Sequence, residues 1–298
     1  MKRRRRFLPW LRLLRLPNAF STAGDLLAGC ALAATSLPRF SVMAAGLAAL
    51  ALLYTGGMAL NDWSDRERDR TLHPDRPLPA GEILPHHALA GAAVLLGLGF
   101  ALVVWSLGNP PLPWRLGVAA GLLGAIVLYD LFGAERAIIG PIAMGLCRAQ
   151  SMALGFLLAW GTADITKNSV AAIAAYGLLV TGLTALSQHE APTFSRGSAR
   201  RWQSVLACGM TVLYLAPVLL FPGRVALLLP CGLILALWVL SPLRGARVSL
   251  TVKRGVFTLV LFDGLICLGS ERPELAVVCV LLYAGIQGSA RLISQRGS

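Results

Sequence analysis

The chain has 298 residues, of which 56% are hydrophobic and only 14% are charged, and its mean hydropathy is +0.68. A soluble globular domain carries about 25% charged residues, so this chain has too little polar surface to cover a soluble core of its size. Soluble Rossmann folds, terpene-synthase-like folds and nucleic-acid-binding domains are therefore disfavoured. The composition predicts an all-α membrane protein, because apolar runs of about 20 residues recur along the chain.

The net charge is +13, from 27 Lys and Arg against 14 Asp and Glu. Basic residues cluster at the start of the chain, at Lys2–Arg6, Arg12 and Arg15, and no basic face with interleaved aromatic residues follows. A basic cluster next to an apolar run suits the anionic cytoplasmic leaflet of a membrane. We therefore predict that this charge faces a lipid bilayer and that the chain binds no nucleic acid.

Apolar runs bounded by Pro, Gly or charge predict a polytopic bundle of about nine transmembrane helices. The runs lie at about 17–37, 41–60, 86–107, 114–132, 138–160, 169–187, 203–221, 224–241, 255–269 and 273–290. The run 255–269 is short for a full span, which leaves the count open between nine and ten. With the N-terminus in the cytoplasm, the inside connections hold 21 Lys and Arg and the outside connections hold 5. This bias predicts a multi-pass protein of the cell inner (cytoplasmic) membrane with a cytoplasmic N-terminus.

A cleaved signal peptide is disfavoured at the start of the chain. The apolar run from Leu16 to Leu37 is too long for one, and it carries the polar residues Asn18 and Asp25. No linker of low complexity divides the rest of the sequence. We therefore expect a basic cytoplasmic N-terminus over 1–16, a single transmembrane domain over 17–290 and a C-terminal tail over 291–298.

Two predicted cytoplasmic connections, 61–85 and 188–202, are longer and more polar than the others. Both lie on the same side of the membrane, and the connections on the outside are short. Binding and catalytic residues concentrate in such loops. We therefore expect these two loops to form a cytoplasmic cap that holds the working site.

The strongest functional signal is an acidic stretch after the second apolar run, Asn61–Asp69, which we call the aspartate segment. On a helix, Asn61, Asp65 and Asp69 are spaced i, i+4, i+8 and share one face. Mg²⁺ prefers oxygen ligands and takes only one or two carboxylates together with water and substrate phosphate. The spacing therefore predicts a magnesium–diphosphate site, with Asp62 about 100° around the helix from its ligands. The alternative is a solvated helix end whose acids pair with the interleaved arginines, but such acids are costly beside a membrane unless they are paired or functional.

The aspartate segment resembles the first aspartate-rich motif, N-D-x-x-D-x-x-x-D, of the UbiA family of intramembrane prenyltransferases. Other motifs that resemble the family follow in chain order over about residues 12–200, namely Arg15-Leu16-Pro17-Asn18, Arg76-Pro77-Leu78-Pro79-Ala80-Gly81, Tyr129, Gly140-Pro141 and Arg148. The resemblance implies an enzyme that moves a prenyl group from an allylic prenyl diphosphate to an amphipathic or aromatic acceptor, with Mg²⁺ as its cofactor. Neither the acceptor nor the prenyl length is specified by these motifs.

The resemblance also implies a role for each matching residue. The metal ligands are Asn61, Asp65 and Asp69, with Glu190 in what remains of a second metal site. The same three residues of the aspartate segment, together with Tyr129 and Arg148, form the catalytic set. The residues expected to bind substrate are Asn18, Asp62, Arg66, Arg70, Arg76 and Glu190.

The sequence departs from the family pattern at two places. The stretch that corresponds to the second aspartate-rich motif, Ser187–Gly197, contains one carboxylate, at Glu190, instead of the two in D-x-x-x-D. Whether a second Mg²⁺ binds is therefore open. The family's Lys after the fourth helix is also absent, with Arg136 as its candidate replacement, and the nearby Asp130 suits a helix cap or an arginine partner better than a catalytic base.

The reduced second motif leaves a second hypothesis open, a non-catalytic prenyl-lipid binding or carrier protein derived from the same fold. The intact register of the aspartate segment argues against it, because a carrier has no need of metal ligands. A secondary transporter would show matching Gly/Pro-broken spans in two halves. A CDP-alcohol phosphotransferase would show the pattern D-x-x-D-G-x-x-A-R, and the sequence has neither feature.

Overall fold

In a computed structural model, the regular secondary structure of the residues that the structure describes is entirely helical. These residues are 2–15, 19–33, 36–108, 113–133, 136–160, 165–188, 196–245 and 248–295. The predicted site residues Asn18 and Glu190 lie outside them, as does the part 189–195 of the predicted cap. The all-α prediction is confirmed for the described part of the chain.

The described residues form helices that follow one another with short connections. The α-helices are α1 (Lys2–Leu13), α2 (Ser21–Ala33), α3 (Phe40–Ser64), α4 (Arg66–Leu72), α5 (Pro85–Ser106), α6 (Pro113–Leu128), α7 (Ile139–Ala159), α8 (Lys167–Ser187), α9 (Arg196–Tyr214), α10 (Ala216–Leu220), α11 (Val225–Leu240), α12 (Val248–Gly269) and α13 (Pro273–Gln295). A π-helical turn, Tyr129–Gly133, ends α6, and short 3₁₀ turns flank α11 at Pro222–Arg224 and Ser241–Gly245.

Six of these helical stretches are long and apolar enough to cross a membrane. Within the described residues they are Phe40–Ser64, Pro85–Ser106, Pro113–Phe132, Ile139–Ala159, Lys167–Ser187 and Pro222–Leu243. They match the second to sixth and the eighth predicted runs. Six apolar helices of this length make the chain a multi-pass membrane protein, and the count of nine spans stays a prediction.

The remaining predicted runs form helices with different bounds. The first run, 17–37, is helical over Ser21–Ala33. The seventh run, 203–221, is divided near Pro217, where α9 gives way to α10, because proline interrupts a helix. The ninth run extends back to Val248 as the 22-residue helix α12, which is less apolar because it includes Lys253, Arg254 and Asp263.

The short helix α2 lies at the centre of the bundle, where it packs against α7 and α12. Almost all of its residues are buried. Gly29 of α2 and Gly155 of α7 allow the close approach, since a Cβ at either position would overlap backbone atoms of the other helix. Small residues at such crossings let membrane helices pack closely. As a result, α2 holds Ser21 and Asp25 deep among the other helices.

The basic helix α1 packs against the residues that follow the aspartate segment. Leu13 is fully buried, and Arg12 donates hydrogen bonds to Glu82 Oε2, at 3.2 Å, and to the carbonyl oxygen of Asp75. Arg15, just after α1, has φ +44°, a left-handed conformation that residues other than glycine rarely adopt. These contacts bring Arg15 to the end of α3.

Candidate active site

In the aspartate segment, Asp65 stands between the end of α3 and the start of α4. The amide of Asp65 donates to the carbonyl of Asn61, and the amide of Asp69 donates to that of Asp65, each at 2.9 Å. Asp65 keeps a near-helical backbone, with φ −81° and ψ −2°. This i to i+4 pattern places Asn61, Asp65 and Asp69 on one helical face, as their spacing predicts.

Each carboxylate of that segment meets an arginine. The three aspartates expose 9% or less of their side chains, whereas the arginines paired with them expose 29–37%. The pairs are Asp62–Arg15 at 2.8 Å, Asp65–Arg68 at 2.6 Å and Asp69–Arg76 at 2.5 Å. The guanidinium groups of these arginines reach solvent. Each pair can therefore separate, so that the arginine binds a phosphate and the aspartate binds a cation. Arginine forks suit phosphate oxygens as well as they suit carboxylates.

A cavity of about 290 Å³ begins at the inner end of the aspartate segment. Its polar wall includes Arg15, Ser21, Asn61, Tyr129 and Arg148, and its apolar wall comes mainly from α8 and α12. This cavity therefore places two arginines and a candidate metal ligand around one space, which is large enough for a charged head group.

A second cavity, of about 70 Å³, adjoins the first between α3, α6 and α7. The two share the lining residues Tyr54, Met58, Tyr129, Met144 and Arg148. The remaining walls of the smaller cavity are mostly aliphatic, with leucines from α3 and Ile126 from α6. A polar space that continues into an apolar one fits a molecule with a charged head and a hydrocarbon chain.

Arg148 also belongs to a set of buried polar side chains in the centre of the bundle, Ser21, Asp25, Arg148, Tyr176 and Asp263, which we call the core network. Arg148 Nη2 lies 3.0 Å from Asp25 Oδ1 and donates to Tyr176 Oη at 3.0 Å. The Tyr176 hydroxyl donates to Asp25 Oδ1 at 2.6 Å. Asp263 is fully buried, and its carboxyl group lies against Gly24 of α2, next to Asp25 in sequence. A cation inside a membrane needs such partners, so Asp25 fixes Arg148 on the cavity wall.

The four arginines predicted to contact phosphate fall into two groups. Arg148 lines both cavities, and Arg76 holds Asp69. Arg66 instead lies over the Trp63 ring, 4.7 Å from its centroid, and Arg70 is 65% exposed and pairs with a neighbouring glutamate. Neither Arg66 nor Arg70 lines either cavity, so the structure does not bring them to the site, and their role stays a prediction.

The sequence motifs assign no role to three charged residues at the site, Asp25, Arg15 and Asp130. The three differ in how clearly the sequence marks them as unusual. Asp25 was visible as an acid inside an apolar run, a position that is costly unless it is functional. Its partner Tyr176 is 151 residues away in sequence. Arg15, 47 residues before its partner Asp62, was hidden in a basic cluster. Asp130 was visible as a helix-end acid, but its position beside the aspartate segment was not.

The acidic face fits one kind of metal ion. Asn61 and the acids supply amide and carboxylate oxygens, and Asp69 Oδ1 is buried without a hydrogen-bond partner among the described residues. Within the same residues, no three Asp, Glu, His or Cys side chains are close enough to hold one ion together. The donor set therefore fits an ion that takes one or two carboxylates and fills its other positions with water and phosphate, as Mg²⁺ does.

Comparison with curated proteins relates this site to known enzymes. The UbiA prenyltransferase family matches residues 26–260. A digeranylgeranylglyceryl phosphate synthase of Methanospirillum hungatei is 30% identical over 168 residues, which cover 56% of this chain and 58% of that protein. A 4-hydroxybenzoate octaprenyltransferase of a Janthinobacterium species is 32% identical over 156 residues, 51% of this chain and 49% of that protein. The chain thus spans about half the length of the curated relatives it matches.

Comparison with solved structures supports the same relationship at the level of the fold. A UbiA homolog from Archaeoglobus fulgidus, solved bound to GPP and Mg²⁺, has a TM-score of 0.62 with this chain at 18% identity. The superposition covers 84% of this chain and 99% of the other. With a helical bundle of this kind and a family match from residue 26 to residue 260, the chain belongs to the UbiA prenyltransferase family.

Proposed function

We propose that this chain is an intramembrane prenyltransferase, which transfers a prenyl group from an allylic prenyl diphosphate to an acceptor. The observation that carries the proposal is the junction of the acidic face, Asn61, Asp65 and Asp69, with a polar cavity that continues into an apolar one. The family match and the activities for which the two curated relatives are named support it.

The head of the donor is held by charged side chains at the polar cavity. Arg15 and Arg148 line that cavity, and Arg76, which pairs with Asp69, would bind phosphate beside it. Asn61, Asp65 and Asp69 would hold Mg²⁺, which when bound neutralises the charge that develops on the leaving diphosphate. Fixed positive groups at that place stabilise the separation of diphosphate from the allylic carbon.

The hydrocarbon chain of the donor lies in the smaller, apolar cavity. Tyr129 and Met144 line both cavities and so stand where the head meets the chain. Excluding water from this junction protects a reactive allylic cation from hydrolysis. The acceptor then reaches the allylic carbon from the polar cavity, whose wall on α8 and α12 is apolar.

The acceptor class stays open between lipid and aromatic compounds. The two curated relatives are named for a glyceryl phosphate product and for 4-hydroxybenzoate, and each matches this chain over about half of its length. We propose an amphipathic or aromatic acceptor, because it has to enter a space with both arginine and aliphatic walls.

We also propose how the chain lies in the membrane. A single domain over 17–290 crosses the cell inner membrane nine or ten times, with the basic N-terminus and the segments 61–85 and 188–202 on the cytoplasmic side. The bias of 21 inside against 5 outside basic residues supports this orientation. The helices α2, α9 and α13 bring the six apolar ones to nine, and α12, which contains the short run 255–269, would be the tenth.

The second candidate function is a prenyl-lipid carrier of the same fold. The observation that favours it is that every acid of the aspartate segment already holds an arginine, so the segment is neutralised without a metal. A carrier binds an allylic diphosphate and leaves it intact, whereas an enzyme releases pyrophosphate.

The experiment that separates the two uses the full chain in lipid nanodiscs. Dimethylallyl, geranyl and farnesyl diphosphate are offered with 4-hydroxybenzoate or geranylgeranylglyceryl phosphate, with and without Mg²⁺, and prenylated products are detected by mass spectrometry. A prenylated product that needs Mg²⁺ supports the enzyme. Tight binding of a donor that stays intact, both with each acceptor and with no acceptor present, supports the carrier.

A further inference from the structure

Asp130 is a buried acid beside the aspartate segment that the proposed chemistry leaves without a role. It is 3% exposed and lines the smaller cavity. Its Oδ2 atom accepts no hydrogen bond from any described residue. A carboxylate inside a membrane bundle is costly unless it meets a cation or serves a function, and the described residues provide no hydrogen-bond partner for this oxygen.

The backbone around Asp130 is also unusual. It lies in the π-helical turn Tyr129–Gly133 that ends α6. Single π-helical turns are rare and occur frequently at functional sites. This turn places Tyr129 and Asp130, neighbours in sequence, on the wall of the same cavity.

Helix α3 accommodates Asp130 at a glycine. A Cβ at Gly57 would lie 3.2 Å from Asp130 Oδ2, tighter than an ordinary van der Waals contact. Gly57 is one helical turn before Asn61 and two before Asp65, so it belongs to the same face. The Asp130 carboxylate therefore extends the acidic face by one turn, at the position where α3 itself has no side chain.

The local charge balance leaves Asp130 as the uncompensated acid. The charged groups that act on it most strongly are Asp65, Arg15 and Asp62. Arg15 is already bound to Asp62, and Asp65 is bound to Arg68. Asp62, Asp65 and Asp130 are thus one acid more than the two arginines pair with, and a bound cation would offset the charge of an ionised Asp130.

We propose that Asp130 supplies a carboxylate oxygen to a divalent cation held together with Asn61 and Asp65, an inference that rests on the proposed function. Asp130 would replace a carboxylate that the loop after α8 lacks, since Ser187–Gly197 contains only Glu190. Two carboxylates and one amide match the small number of protein ligands that Mg²⁺ takes. A cation held by these residues would lie between the polar and the apolar cavity, since Asn61 lines the first and Asp130 the second.

Binding of Mn²⁺ to the full chain in nanodiscs tests this inference without turnover, because Mn²⁺ prefers the same oxygen ligands and is followed by electron paramagnetic resonance. Asp130→Asn removes the charge and keeps the shape. The matched control is Asp75→Asn, which removes the same charge from an exposed residue after the aspartate segment. We expect Asp130→Asn to raise the Kd for Mn²⁺ about tenfold, because affinity follows the charge of the ligands, and the control to leave it unchanged.

A second variant covers the case in which Asp130→Asn does not fold. Gly57→Ala keeps every proposed ligand but presses a methyl group against Asp130 Oδ2, and it too is expected to weaken Mn²⁺ binding. The inference is overturned if Mn²⁺ binds equally well without the Asp130 charge, or if Asp75→Asn weakens it as much. Failure of the proposed function has a different signature, a wild-type chain that binds Mn²⁺ and forms no prenylated product.

Discussion

Acids and arginines meet in two regions of this molecule, and the two regions are built in different ways. In the aspartate segment, neighbours in sequence supply the acids, and the paired arginines keep 29–37% of their side chains exposed. In the core network, four helices supply the side chains, and the Arg148–Asp25 pair is 8% and 0% exposed. The first set of pairs borders solvent and a cavity, whereas the second is enclosed by protein.

This difference in exposure decides what each region can do. Because the arginine of each pair reaches solvent, water screens the pair and lets it exchange partners, so the aspartate segment can bind and release charged ligands. A buried pair is strongly destabilising when one member is removed, so the core network holds the helices and fixes Arg148. The comparison assigns ligand exchange to the aspartate segment and positioning to the core network.

Asp65→Ala tests most severely whether the aspartate segment takes part in the reaction. We expect the rate of pyrophosphate release to fall between about 100-fold and 1,000-fold, the range for loss of one group that stabilises developing charge. The thermal midpoint should change little, because the Asp65–Arg68 pair borders solvent. Glu67→Ala, which removes a 61% exposed acid from the same segment, is the control. Equal activity in the two variants would remove Asp65 from the mechanism.

Asp25→Ala should have the opposite profile. Removing Asp25 leaves Arg148 without its closest acid in the bundle centre, which we expect to destabilise the fold by about 3 kcal/mol. Thermal unfolding in one detergent, compared with the exposed-site variant Asp75→Ala, measures the effect. A midpoint unchanged from wild type would show that Asp25 contributes nothing to the stability of the bundle.

Tyr176→Phe tests the positioning role of the core network with a smaller change. The variant loses the hydroxyl that donates to Asp25 at 2.6 Å and accepts from Arg148 at 3.0 Å. The ring keeps its stacking on Phe262, with centroids 5.7 Å apart. We expect a stability loss of about 1–2 kcal/mol and a raised KM for the donor, because Arg148 is held less firmly. A loss as large as that of Asp25→Ala would place the main support in the tyrosine instead.

Arg70→Ala should produce the smallest effect. Arg70 is 65% exposed and pairs with Glu67, 61% exposed, and such surface pairs contribute less than about 0.5 kcal/mol. We expect activity and stability close to wild type, whereas Arg76→Ala, at the buried Asp69, should raise the KM for the donor. If Arg70→Ala raises that KM as much, Arg70 binds the donor, as the resemblance implies. Its side chain would then leave Glu67 when the donor binds.

The helical register of the aspartate segment can be predicted from the sequence because its residues are neighbours along the chain. Its register depends on helical periodicity over nine residues, and the hydrogen bonds from Asn61 to Asp69 follow that periodicity. The core network is not predictable in this way, because its members lie 127 and 151 residues apart and meet only when α2, α7 and α8 pack. The same limit explains Asp130, whose position beside Gly57 depends on how α3 and α6 pack.

The fold shows a similar division. Hydropathy predicts the helices that face lipid, such as α5, because their outward surface is continuously apolar. It predicts α2 and α12 less well, since helices enclosed by other helices can carry the polar residues Asp25 and Asp263. The bounds of these two helices depend on how they pack against other helices, and the average hydropathy of a sequence segment carries no information on that packing.

The central claim is that the aspartate segment and Mg²⁺ act together on an allylic diphosphate. The most direct measurement is the rate of pyrophosphate release from geranyl diphosphate by the full chain in nanodiscs, as a function of Mg²⁺ concentration, for wild type and Asp65→Ala. The account predicts a saturable rise with Mg²⁺ in the wild type and no such rise in the variant. Release that is independent of Mg²⁺, or that rises equally in Asp65→Ala, would contradict it.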